Sequence, residues 1–136
     1  MTATISRAAL NSVLARAAAR PQVEVCGLLL GEGTRITEAR AAENVAAVPE
    51  RRFELDPAVL LAAYREARQG GGQVLGHYHS HPGGDVTPSA CDAEMARPDG
   101  TLWLICAPDG RFALWRAEAD GLHGRFAPMT LHMSGE

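Results

Sequence analysis

The stretch QVLGHYHSHPGGDVTPSACD, Gln73 to Asp92, changes structural character twice. Up to His81 it reads as a strand. Pro82 ends that strand, and Gly83-Gly84 let the chain turn back. Thr87-Pro88 then reads as the N-cap and first position of a short helix carrying Ser89 and Asp92. On a strand, residues i and i+2 share a face with backbones about 6.5–7 Å apart, so His79 and His81 can converge their imidazoles on one ion. Asp92, a helical turn beyond Ser89, can bring a carboxylate to the same point. His77 shares the strand face but lies about 13 Å from His81 in an extended chain. It reads as a supporting or structural residue, not a ligand.

Two histidines and one aspartate suit borderline-soft Zn²⁺ and leave the fourth tetrahedral position open, which marks a catalytic zinc rather than a structural one. Cys91 adjoins Asp92, but neighbouring helix positions point in different directions. An open zinc lowers the pKa of water and polarises a carbonyl. Amide hydrolysis also needs a group that takes the water's proton and returns it to the leaving amine. The candidate is Glu24, in the apolar segment VEVCG, where a carboxylate is expensive unless paired or functional. A solvated place at a strand edge is the other reading of Glu24, and a helix-start role is the plain reading of Ser89.

Outward from this stretch, Ser6 caps a helix running to about Arg20, which Pro21 closes. Val23–Gly31 is a buried strand, 35–42 a second, and Arg52–Leu55 a third. Asp56-Pro57 opens a helix through Arg68, with Val59, Leu60, Ala63 and Tyr64 at helical spacing. Thr101–Ala107 is another buried strand, Pro108–Gly110 a turn into a further strand, and the ADG before Leu122 a hairpin. The remaining LHGRFAPMTLHM reads as one or two edge strands. The result is a mixed sheet with two longer helices and a short one.

At 136 residues the chain is one domain's length, 1–136, and buries about two-thirds of its unfolded surface without help from disulfide or metal. A net charge of −3, spread along the chain, argues against non-specific binding to nucleic acid or a membrane surface. No apolar run approaches the roughly 18 residues of a membrane span. Three cysteines without C-x-x-C spacing read as reduced thiols of a cytoplasmic protein. The acid-free N-terminus reads better as the first helix than as a transit peptide. All 13 basic residues are arginine, so no lysine amine is available for isopeptide attachment. A nucleobase-deaminase reading fails, because no H-x-E is paired with P-C-x-x-C.

The segment E-x-C-G-L-L-L-G from Glu24, followed by H-S-H-P, six residues, Ser, two residues and Asp, resembles the JAMM (MPN-plus) metalloprotease family. ENVAA at Glu43–Ala47, RRFELDP at Arg51–Pro57 and the downstream LWLICAPDGRFALWR are similar to its bacterial stand-alone members, so the resemblance covers nearly the whole chain. It implies an α/β fold, a curved mixed sheet flanked by two longer helices and a short helix carrying part of the zinc site. It also implies one Zn²⁺ per chain on His79, His81 and Asp92. Glu24 would be general base and then proton donor, and Ser89 would serve the oxyanion or its water. The implied activity is cleavage after the C-terminal Gly-Gly of a ubiquitin-like or sulfur-carrier protein. The contrasting expectation is a non-catalytic MPN-like binding scaffold, although such relatives lose zinc ligands that this chain keeps. The 44 residues after Asp92 leave no room for long insertions, so substrate grip is expected from short loops and a sheet edge, by strand addition.

Overall fold

Alternation begins at once: in TATIS, Ala3 and Ile5 are buried while Thr2 is exposed, and Thr2–Ser6 forms strand β1. The computed structural model describes residues 1–135. Ser6 ends β1 and caps helix α1 (Arg7–Ala19), its hydroxyl accepting from Ala9 N–H at 3.2 Å. Strands β2 (Cys26–Glu32) and β3 (Arg35–Ala42) form a hairpin whose turn passes through Gly33 at φ 62°. Helix α2 (Pro57–Arg68) is capped by Asp56, followed by β4 (Gln73–Ser80), the six-residue helix α3 (Ala90–Met95), and β5 (Leu102–Cys106). Strands β6 (Phe112–Leu122) and β7 (Phe126–Ser134) complete the order.

The strands lie side by side as β1-β3-β2-β4-β5-β6-β7, and β7 pairs back onto β1 in parallel, so the curved mixed sheet closes on itself. Strand pleat divides its side chains between two cores. Leu29, Ile36, Tyr78, Leu104 and Leu114 pack with Leu10, Val13 and Ala17 of α1. Each such fully buried Leu or Ile stabilises the fold by about 2 kcal/mol. On the opposite face, Leu28 and Leu30 meet Ala63 of α2, while Cys26, Phe53, Trp103 and Phe126 form a cluster beside the histidines. Gly27 lets this sheet pack tightly, because a Cβ there would overlap the Tyr78 ring and the Arg40 carbonyl.

Several expectations change. β2 starts at Cys26, so Glu24 precedes the strand; its N–H goes to the Pro49 carbonyl at 2.8 Å instead of a ladder partner. Arg52–Leu55 is not a strand: it contributes a single bridge, Leu55 to Asn44, because the Asn44 side chain occupies the backbone groups a ladder would use. β7 is not an edge strand, since it pairs with both β6 and β1. β1 meets β3 only at Arg35 and Ile36, so the outer side of β3 beyond Ile36 has no strand partner among the described residues. Ser89, not Thr87, caps α3; Thr87 instead gives its N–H and hydroxyl to the Asp85 carboxylate, at 2.9 and 2.7 Å. β1 is a strand that the sequence reading did not foresee.

Candidate metal centre

The site is assembled where β4 ends beside the start of α3. His79 and His81 stand two apart on the chain, and Gly84, at φ 92°, closes a turn by donating its N–H to the His81 carbonyl at 2.9 Å. The chain then returns so that Asp92 meets both rings. His79 Nε2 and His81 Nε2 lie 3.0 Å apart, and Asp92 Oδ2 lies 3.2 and 3.1 Å from them. Tetrahedral zinc with ligands at about 2.0–2.1 Å sets its donors about 3.3–3.4 Å apart. The triangle of donors therefore fits that ion nearly as it stands. Glu24 completes a buried group of four whose donor atoms all lie within 4.8 Å of one another.

Local structure fixes each donor. Asp92 occupies the third position of α3, where its N–H reaches Ser89 Oγ at 3.0 Å and its carboxylate accepts the Ser89 N–H at 2.9 Å. This reciprocal capping box positions the ligand and starts the helix together. His81 Nδ1–H donates to the Asp85 carbonyl at 2.6 Å, which leaves the Nε2 lone pair for the ion when the ring is neutral. Phe53 stacks on the His79 ring, centroids 4.3 Å apart and planes 20° from parallel, so His79 is oriented by packing. Its Nδ1 is buried with no hydrogen-bond partner among the described residues.

Electrostatics divides the four groups. Burial opposes charge on Asp92, yet hydrogen bonds from His79, His81 and the Ser89 backbone hold its pKa well below the carboxylate range. Burial likewise opposes charge on His81, but Asp92 and the Asp85 carbonyl outweigh it and raise the pKa. For His79, wholly enclosed, burial prevails and the pKa falls. Glu24 is pushed up to about 7, by burial first, with His81 lowering and Asp92 raising it. Its Oε1 is buried, with no hydrogen-bond partner among the described residues. A carboxylate so placed is poised to exchange a proton near neutrality.

His77 lies outside the group of four. Its ring meets Trp103 edge-on at 4.4 Å, beside a mixed recess lined by Leu60, Tyr64 and Met95 together with Arg97 and Asp99, and burial drives its pKa down to about 3. Cys91 also stands apart, with its thiol 3.5 Å from Arg52 Nη2. A groove lined by Glu24, Arg51, His81, Pro82, Ser89 and Cys91 leads to the centre.

Residues that the sequence reading missed hold this groove in shape. Trp115 Nε1–H donates to the Val86 carbonyl at 3.0 Å, and His123 Nε2 lies 3.0 Å from the Pro88 carbonyl, so both pin the loop before Ser89. Neither carries a local signal, since each acts across the fold from a distant strand or turn. The Ser89 cap was detectable: S-x-x-D ahead of a helix is the capping-box pattern.

The assembly has counterparts. A protein called desampylase from Haloferax volcanii is 43% identical over 97 residues, 70% of each chain. A second desampylase, from Pyrococcus furiosus, is 37% identical over 93 residues, 68% of this chain and 66% of its own. Among solved structures, a Desulfitobacterium hafniense protein superposes with a TM-score of 0.82 at 26% identity, over 100% of this chain and 94% of that one. A JAB1/MPN domain protein from Archaeoglobus fulgidus shares the fold, with a TM-score of 0.64 at 18% identity over 98% and 97% of the two chains. The family described as prokaryotic homologs of the JAB domain matches residues 6–118, which include Glu24, His79, His81, Ser89 and Asp92. The chain belongs to that family.

Proposed function

We propose that the protein is a zinc-dependent isopeptidase or peptidase that cleaves after the C-terminal Gly-Gly of a ubiquitin-like or sulfur-carrier protein. The observation that carries this reading is the near-tetrahedral triangle of His79, His81 and Asp92 donors with the unpartnered Glu24 carboxylate beside it. When bound, zinc supplies a Lewis acid for the scissile carbonyl and lowers the pKa of water. Glu24 takes a proton from the attacking water and returns it to the leaving nitrogen. The Ser89 hydroxyl oxygen accepts from Asp92 N–H, so its own proton remains free to donate to the developing oxyanion.

The class of substrate is supported by relatives named as desampylases and by the open groove that runs past Arg51, Pro82 and Ser89 to the centre. A diglycine tail suits such a groove because glycine lets the backbone approach closely. The three cysteines are all free thiols, which supports a reducing, cytoplasmic setting.

The test combines metal analysis with cleavage of a ubiquitin-like protein whose Gly-Gly tail is joined to a reporter. One zinc per chain and cleavage after the second glycine are expected. Glu24→Gln should retain the metal and lose all but a slow residual cleavage. A zinc-loaded, folded protein that cleaves no Gly-Gly fusion would overturn the assignment.

A further inference from the structure

Building on that assignment, we infer that Asn44 is a positioning residue that holds Glu24 in place through its backbone. Glu24 lies ahead of β2, where no strand ladder fixes it, and its Oε1 has no partner among the described residues. Its place is therefore set by its main chain. The Glu24 N–H donates to the Pro49 carbonyl at 2.8 Å, and the Glu24 carbonyl accepts from Asn44 Nδ2 at 2.7 Å. On the next residue, Val25 N–H donates to Ser80 Oγ at 2.9 Å, and Ser80 N–H returns to the Val25 carbonyl at 3.0 Å. Glu24 is thus held by the 44–54 loop, and Val25 by the strand bearing His79.

Asn44 is the hub of that loop. Besides Glu24, its Nδ2 reaches the Arg52 carbonyl at 3.0 Å, while its Oδ1 accepts from Ala46 N–H and Glu54 N–H, both at 3.0 Å. Two donor hydrogens and two acceptor sites are all used. Only an amide of this length satisfies two carbonyls and two N–H groups at once. Aspartate would set an oxygen against the Glu24 and Arg52 carbonyls, and alanine would free all four groups. The loop also supplies Phe53, which stacks on His79, so the amide that sets Glu24 stabilises the base of the ligand platform as well.

Two readouts test this. In metal-free protein, Asn44→Ala should speed hydrogen exchange about tenfold, the scale of one lost hydrogen bond, at the Ala46 and Glu54 amides, which lose their acceptor, and at the Glu24 amide, whose acceptor Pro49 lies in the same loop, while Leu29 and Leu104 amides keep their protection. In zinc-loaded protein, Asn44→Ala and Asn44→Asp should each keep one zinc per chain and an unchanged KM. Their kcat should fall about 100-fold, the scale of a 1 Å misplacement of a reacting group. The loss should persist in a Ser89→Ala background and be absent from the slow residual turnover, followed with enzyme in excess, of a Glu24→Gln background, a pattern that general loosening of the fold does not give. Unchanged exchange at Glu24, or an equal loss of kcat in the Glu24→Gln background, would overturn the inference. If wild type itself cleaves no Gly-Gly fusion, the functional assignment falls while the exchange experiment still decides the role of Asn44.

Discussion

Replacing Glu24 by glutamine should stabilise the metal-free protein at neutral and alkaline pH while removing its activity. The carboxyl pKa moves from 4.5 to about 7 on folding. At 1.36 kcal/mol per unit, the ionised side chain destabilises the fold by at most about 3.4 kcal/mol. Solvent in the groove screens part of this, so about 2 kcal/mol is the working figure. The sign follows from linkage: a raised pKa means the folded state binds the proton more tightly, so stability is fully present below pH 4.5 and is lost as pH rises towards 7. Glutamine carries no charge to lose. Urea unfolding of both proteins, stripped of metal, should show the variant more stable by about 2 kcal/mol at pH 8. The gap should shrink to under about 0.5 kcal/mol at pH 4.5. In a chain of this size it corresponds to a rise of about 6–8 °C in Tm at pH 8. Equal stability of the two proteins across this range would refute the claim that Glu24 is a desolvated, unpartnered acid. A gain of that size would show stability given up for function at one residue.

Three further outcomes are expected. His79→Ala and Asp92→Ala should each abolish stoichiometric zinc, measured by metal analysis. Asp92→Ala should also cost about 1 kcal/mol more in unfolding than the metal loss accounts for, because it removes half of the α3 capping box. Zinc affinity measured by chelator competition should weaken as pH falls through the raised pKa of His81, since proton and ion compete for the same Nε2. Gly27→Ala should destabilise the fold by about 1–3 kcal/mol in urea titration, because the new methyl group meets the Tyr78 ring and the Arg40 carbonyl.

Much of the centre was legible because its geometry is local. The two-residue period of a strand brings His79 and His81 together, and a turn followed by a helix returns Asp92 to them. Glu24 was visible through its motif, although its setting was misread: an apolar run promises a strand, whereas here the strand begins two residues later. What stayed hidden depends on contacts between distant segments. β1 is five residues long and abuts a helix cap, so its alternation was overshadowed by the helical pattern that follows, and its partners are β3 and β7. Asn44 sits in a polar stretch where an amide draws no notice. Its importance appears only when four backbone groups from three segments are seen to converge on it.

The pairing of β1 with β7 also bears on how the molecule comes to be folded. Thr2–Ser6 lies against Thr130–Ser134, so the last seam of the sheet joins the two ends of the described chain. Closing it carries the entropy of a loop of well over 100 residues, about 128 between Thr2 and Thr130. On a ribosome, α1 and the β2–β3 hairpin can assemble early, but β1 must wait for β7 to emerge. Until then, the outer edge of β1 beside α1 stays unpaired, a template on which a second nascent chain could add its own strand.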